Sequence, residues 1–247
     1  MNIAILSDIH ANLPALQAVI NHALLNGVST FYCAGDLVGY GPFPNEVIEL
    51  IKNINIQSVI GDYDLKVLHF EDVKNKWRSK KQPLKFLAFE WAHDMLSPSS
   101  ISFLKLLPEK IEFSISAFSI LITHGIPSKI GGHISPLATT SQLRKIAKSN
   151  SKNIIITGNT HQFMHKKVDH THFINPGSVG RPDDGIPHAS YGILAFVEEG
   201  HNVHFSNHRI PYDISQIITK FKEYELPEEF CAMFIQGKSL DFILNKS

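Results

Sequence analysis

The sequence predicts an α/β protein with more than one sheet, on three observations. Short apolar runs alternate with amphipathic stretches in the first half, closely spaced short runs fill the second, and several runs end in polar, glycine-containing loops. The first cycle is IAIL (residues 3–6) followed by LPALQAVINHALLNG. There Leu16, Val19, Ile20, Ala23 and Leu24 recur at helical spacing, with Asn12 at a capping position, Pro14 in the first turn and Gly27 at the exit. TFYCAG and PNEVIELIKN repeat the pattern. So do IQSVIG and a helix around LKFLAFEWAHDML, whose apolar stripe Leu84, Leu87, Ala88, Trp91 and Met95 reads as a core-facing surface. Beyond it, FSIS, FSILIT, NIIIT, THFIN, SYGILAF and HNVHF read as strands in antiparallel hairpins. TTSQLRKIAKS is a helix among them, and DISQIITKFKEY and EEFCAMFI close the chain as helices.

With no internal repeat or long linker in 247 residues, one domain over 1–247 is expected. The chain balances 23 basic against 23 acidic side chains, which argues against a protein built to hold nucleic acid or an anionic membrane. Its one basic cluster, KNKWRSKK (74–81), is expected to be a solvated helix end or loop, and residues 65–110 a helical wall or lid over the site, where that cluster could approach an anionic substrate. MNIAILSDIH lacks a basic leader and no later run approaches roughly 18 apolar residues, so a cytoplasmic, soluble chain is expected. Cys33 and Cys231 are far apart, and Cys33 lies in an apolar stretch, which suits reduced thiols better than a disulfide.

Five strand ends carry the chemistry: AILSDIH (Asp8, His10), FYCAGD (Asp36), SVIGDYD (Asp62, Asp64), ILITHG (His124) and IIITGNTH (Asn159, His161). Ligands of open α/β sheets bind outside the carboxyl ends of strands, so five such loops can converge on one spot. Asp, His and Asn are the donors that hold hard-to-borderline divalent ions. Residues i and i+2 of an extended segment point the same way, so Asp8 with His10, and Asn159 with His161, are each expected to address one site. Glycines 35, 61, 125 and 158 permit sharp turns there. Any one of these acids alone would read as a cap or turn former. Five in order, each after a strand, point to a metal site.

SDIHAN, AGDLVGYGP, IGDYD, THG and GNTH resemble the motifs of the calcineurin-like metallophosphoesterases, within them the small bacterial and archaeal phosphoesterases. LVGYGPFPNEV and INPGSVGRPDDGIPHASYGIL extend the resemblance past residue 190. The resemblance implies a four-layer α/β/β/α sandwich with two mixed β-sheets and two divalent metal ions between the strand ends. On that pattern Asp36 bridges the ions, Asp8, His10 and His161 complete the first site, and Asp62, His124 and Asn159 complete the second. Such an ion pair clamps a phosphate and activates a water for in-line attack, with no protein nucleophile. Asn12 resembles the family's phosphate-contacting asparagine, a role compatible with a helix cap. Tyr63 stands where many members carry the histidine that protonates the leaving alcohol, and a phenol of pKa about 10 is a poorer acid at neutral pH.

Two departures fall at one metal: Asp62 stands where Asn is usual and Asn159 where His is usual. The second site becomes richer in oxygen and poorer in nitrogen. Mn²⁺ is therefore the expected ion, with Fe, Zn, Mg and Ni as alternatives, and the second ion is expected to be weakly held. Two functions follow. One is a phosphodiesterase or phosphomonoesterase acting on a small phosphorylated substrate. The other is a degenerate member that binds a metal or phosphorylated ligand without turnover, Asn159 then bonding Asp62 across the second site. Arg181, in NPGSVGRPDDG, reads as part of a structural hairpin. Membrane and nucleic-acid partners are not expected, and the physiological substrate and oligomeric state are not legible.

Overall fold

The computed structural model describes residues 1–197 and 202–245. The chain begins β1 (Asn2–Leu6), α1 (Leu13–Leu25), β2 (Phe31–Cys33), α2 (Pro44–Asn53), β3 (Gln57–Ser58), α3 (Asp62–Leu68), α4 (Phe70–Arg78), α5 (Pro83–Met95) and α6 (Pro98–Leu106). It continues β4 (Lys110–Ile115), β5 (Phe118–Thr123), α7 (Thr140–Asn150), β6 (Ile154–Ile156), β7 (Phe163–Val168), β8 (Thr171–Pro176), β9 (Ala189–Val197), β10 (Asn202–Ile210), α8 (Ile214–Glu223), α9 (Glu228–Gln236) and α10 (Leu240–Leu244).

These strands form two five-stranded mixed sheets, ordered β10-β9-β1-β2-β3 and β4-β5-β6-β8-β7. Strands β1, β2 and β3 run parallel, as do β5, β6 and β8, so their carboxyl ends open on one edge. The period of two along each strand builds the layers. Ile3 and Ile5 join Ala34 and Val59 against Ile120, Ile122, Ile154, Ile156 and Ile174, which seals the two sheets together. Ala4 and Leu6 face the other way, onto Leu16 and Val19 of α1 and Val47, Ile48 and Ile51 of α2. Ile155 and Phe173 pack outward on Leu143 of α7. The result is helix, sheet, sheet, helix, the expected four-layer α/β/β/α sandwich.

Asn12 caps α1 by accepting from the Ala15 N–H at 3.0 Å, and Gly27 leaves the helix at φ +72°. The buried side chains of α5 are Phe86, Ala88, Phe89 and Ala92. This corrects the expected stripe, of which only Ala88 is buried. The helix is wedged between two apolar clusters, with Leu84 and Leu87 half-buried against α8–α10. A helix with apolar neighbours on opposite sides has no unique stripe to read. The edge strand β7 was not among the expected strands, because Lys166, Lys167 and an exposed Phe163 mask the alternation of Met164 and Val168. Among the described residues no helix is long and apolar enough to cross a membrane.

Candidate metal centre

Three of the five strand-end loops turn sharply as they leave their sheets. Asp8 (φ 54°), His10 (φ 47°), Asp36 (φ 56°), Asn159 (φ 68°) and His161 (φ 57°) all occupy the left-handed region. This overturns the extended i, i+2 geometry expected for Asp8 with His10 and Asn159 with His161. The side chains of each pair come from strained turns, not from one face of a strand. A non-glycine residue held there costs on the order of 1–3 kcal/mol, and such strain gathers at functional sites.

The turns bring buried donors together. Asp8, His10 and His161 form one group whose donor atoms lie within 4.8 Å of one another, and Asp8, Asp36 and His124 form a second. His10 and His161 bring their Nε2 atoms to 3.1 Å, and His161 Nε2 lies 3.4 Å from Asp8 Oδ1. Asp36 Oδ2 sits between two imidazoles, 3.7 Å from His10 Nε2 and 3.3 Å from His124 Nε2. Asp62 Oδ1 is 3.8 Å from His124 Nε2. Asp8, His10 and His124 are fully buried.

Main-chain carbonyls aim the imidazoles. A carbonyl only accepts, so His124 Nδ1 donates to Ala34 and His161 Nδ1 donates to Arg181, each at 2.7 Å. In the neutral ring that leaves Nε2 with its lone pair toward the other donors. Asp64 ties two loops together, accepting from the N–H groups of Leu37 (2.9 Å), Val38 (3.0 Å) and Gly61 (2.9 Å). A third tie is the 175–181 segment. Val179 N–H donates to the Ser7 carbonyl, and both Gly180 N–H and Ser178 Oγ donate to the Asp8 carbonyl. Asp64 stands among the strand-end acids of the sequence but outside the expected ligand set, and Ser178 outside both. For Asp64 the signal was its second carboxylate in GDYD; Ser178 and the Arg181 carbonyl act on or through main chain and leave no comparable mark.

Four sequence-derived candidates are placed differently from the donor groups. Asn12 is fully buried, and its amide donates to the Gly180 carbonyl (2.7 Å) and the Tyr212 hydroxyl (3.1 Å). Both its donors are therefore engaged inside the protein, where Asn12 ties the first loop to the 175–181 segment and to Tyr212. The Asn159 main chain donates to Asp8, while its side-chain Nδ2 donates to the Gly132 carbonyl at 3.0 Å. That geometry replaces the Asn159–Asp62 bond expected for a degenerate site. Gly131 lies beside Asp62 Oδ2, so the Gly131–Gly132 turn reaches from Asp62 to Asn159. Tyr63 N–H donates to Asp36 Oδ1 at 2.8 Å, and its ring stands edge-on 5.0 Å from that of His10.

Electrostatics fit the same picture. Burial would lower the His124 pKa, but the Asp36 carboxylate outweighs it and raises it to about 10. Burial, then the charge of Arg181, hold His10 well below the usual imidazole range, so its ring is neutral and offers a lone pair. Burial raises the Asp8 carboxyl, yet His161 and His124 bring it below the ordinary value. Asp62 is pushed up, first by burial and then by Asp36. Arg181 is buried with its guanidinium 4.4 Å from the Tyr40 ring, and its Nε and Nη1 have no partner. Buried His124 Nε2 and Asp62 Oδ1 likewise lack a hydrogen-bond partner. Orphaned buried polar atoms are costly, and an imidazole nitrogen and carboxylate oxygens facing one another are the donors a divalent ion takes. The residues fit a metal centre.

Two mixed sheets with an Asp/His centre between their strand ends define the class, a metallophosphoesterase sandwich. Residues 1–199 match the calcineurin-like phosphoesterase superfamily domain, and the chain belongs to that family. It is 34% identical over 245 residues to an uncharacterised protein of Methanocaldococcus jannaschii, the match covering 92% of this chain and 94% of the relative. Among solved structures it is similar to a metallophosphoesterase from Sphaerobacter thermophilus, at 29% identity and a TM-score of 0.74, covering 96% of this chain and 100% of the other. A hypothetical protein from Pyrococcus horikoshii shares the fold at 23% identity and a TM-score of 0.84, with 96% and 98% coverage.

Proposed function

We propose that this chain hydrolyses a small phosphorylated substrate, a phosphodiester or phosphomonoester, using two divalent metal ions, manganese foremost. The observation that supports the reading best is the pair of buried donor groups, Asp8 with His10 and His161, and Asp8 with Asp36 and His124. In this reading Asp62 and Asn159 border the second ion. The bound ions supply Lewis-acid stabilisation and an activated water. The protein residues hold the ions and shape what surrounds them. In this reading Tyr63, whose ring stands edge-on to His10, would donate a hydrogen bond to the leaving oxygen. A cleft of about 300 Å³ lined by His133, Ser135, Pro136, Asn159, Thr160 and Gln162 opens beside Asn159, room for the organic part of a small ester.

Two further expectations belong to this reading. Both cysteines are free and Cys33 is buried, which suits a reducing, cytoplasmic setting. In KNKWRSKK, Lys74 pairs with Glu71, Arg78 with Glu90, and Lys81 lies over the Trp77 ring, so three of its five cations have partners on the protein.

The test combines metal content with turnover. Protein purified without chelator is assayed for metal per chain and for Mn²⁺-dependent hydrolysis of bis(p-nitrophenyl) phosphate and p-nitrophenyl phosphate. Two metals and a turnover lost in Asp36→Asn are expected. One metal and no Mn²⁺-dependent turnover would sink the proposal in favour of a binding-only member.

A further inference from the structure

We infer that Lys66 is a built-in counter-charge for the second metal position. It occupies one oxygen of Asp62 and makes that carboxylate act toward a metal more as a neutral amide oxygen would. The inference rests on the two-metal reading above.

Asp62 and Lys66 are four residues apart on α3, so their side chains share one helix face. Lys66 Nζ lies 2.5 Å from Asp62 Oδ2. The other oxygen, Oδ1, is turned to the metal centre, 3.8 Å from His124 Nε2, and has no hydrogen-bond partner. The carboxylate thus stands between an ammonium and the metal donors. This is not an ordinary solvated pair, because the Asp62 side chain is only 16% exposed. Lys66 is further held by the Tyr63 ring, whose centroid is 4.4 Å from Nζ.

A bare aspartate at position 62 would add a negative charge to a site that already holds Asp8 and Asp36. Lys66 cancels that charge where it arises. It also repels an incoming cation and commits Oδ2, so that Asp62 offers one oxygen in place of two. The second ion is then held more weakly than the count of carboxylates alone would suggest. Lys66 is a positioning residue whose ammonium has no lone pair to offer an ion, and its effect is on affinity.

The test is a Mn²⁺ titration by calorimetry on chelator-stripped, dialysed protein. Wild type is compared with Lys66→Met, Lys66→Gln, Lys66→Arg, Asp62→Asn and the Asp62→Asn/Lys66→Met double variant. Removing one adjacent positive charge is expected to tighten the second Mn²⁺ about tenfold in Lys66→Met and Lys66→Gln. Lys66→Arg, which keeps the charge, is expected to stay within about twofold of wild type. In the Asp62→Asn background, Lys66→Met is expected to give a clearly smaller gain, since only the ammonium's repulsion of the cation remains once there is no second carboxylate oxygen to free. Circular dichroism identifies a misfolded variant, and the Gln and Met variants substitute for each other. Unchanged or weaker second-site binding in both neutral variants, or the same gain in the Asp62→Asn background, overturns the inference while leaving two-metal binding intact. A second binding event missing from wild type and every variant overturns it together with the two-metal reading.

Discussion

His10 and His161, 151 residues apart in sequence, bring their Nε2 atoms to 3.1 Å of each other. Both rings are buried and both residues hold positive φ. A divalent ion that binds the folded site and not the unfolded chain stabilises the fold by mass action, about 2.7 kcal/mol at a hundred times Kd. Mn²⁺ is expected to raise the melting temperature of chelator-treated protein, and His161→Gln to lose most of that rise. Thermal denaturation with and without Mn²⁺ checks it; an equal rise in both proteins would remove His161 from the site.

Asp64 accepts from three main-chain N–H groups, two at Oδ1 and one at Oδ2. In Asp64→Asn the new amide would set a donor against a donor, and leaving a buried N–H unpaired costs about 1–3 kcal/mol. Burial and the neighbouring Asp36 raise this carboxyl to about 7, while the N–H donors from Gly61 and Val38 oppose them. Urea denaturation at neutral pH is expected to show the loss. A change under half a kilocalorie would mean that the loops do not depend on it.

A methyl group on Gly158 would land on Ser7 Oγ and 2.8 Å from Asp8 Oδ2. Overpacking of this kind costs about 1–3 kcal/mol. Gly158→Ala is expected to lower the melting temperature and weaken metal binding together, because the clash falls on Ser7 and on the neighbouring Asp8 carboxylate. Gly27→Ala is the comparison. Nothing lies within 4 Å of its added carbon, so only the strain of φ +72° remains and metal binding should be untouched.

His124 provides the pH dependence. Its pKa in the metal-free fold is raised from 6.5 to about 10. A raised pKa contributes stability that is fully present below about pH 6.5 and is lost as pH climbs toward 10. In chelator, the stability difference between wild type and His124→Gln is expected to shrink across that window. A metal must displace the same proton, so Mn²⁺ affinity should rise with pH and binding should release protons. Titrations in buffers of different ionisation enthalpy measure that release, and none at pH 7.5 would contradict the assignment.

Asn159→His exchanges an amide now bonded to Gly132 for an imidazole. It is expected to tighten Mn²⁺ binding at the second position, because imidazole is the better donor. Unchanged binding would show that position 159 faces Gly132 only.

The strand-end acids and histidines were visible in the amino-acid order because apolar runs and their glycine-bearing exits are local features. Asp8, Asp36, His124 and His161 could be picked out before any fold was known. The buried face of α5 could not, since it depends on which clusters lie on either side of the helix. Nor could the left-handed turns at Asp8 and His161 that replaced the expected extended geometry, because hydrogen bonds from the 175–181 loop help stabilise the Asp8 turn. Two of the three bonds join main-chain atoms only, and the third runs from Ser178 Oγ to a main-chain carbonyl, so little in side-chain identity announces them.

Donor chemistry thus follows from residue identity alone: which side chains can hold a metal, and that the set has one amide where an imidazole is usual. Donor direction does not. Asn159 turns to Gly132, Asn12 spends both donors on its neighbours, and Asp62 divides its oxygens between Lys66 and the metal side. Each of these choices is a competition among partners remote in the chain or dependent on a particular turn. Only packing, which sets the distances among them, can decide it.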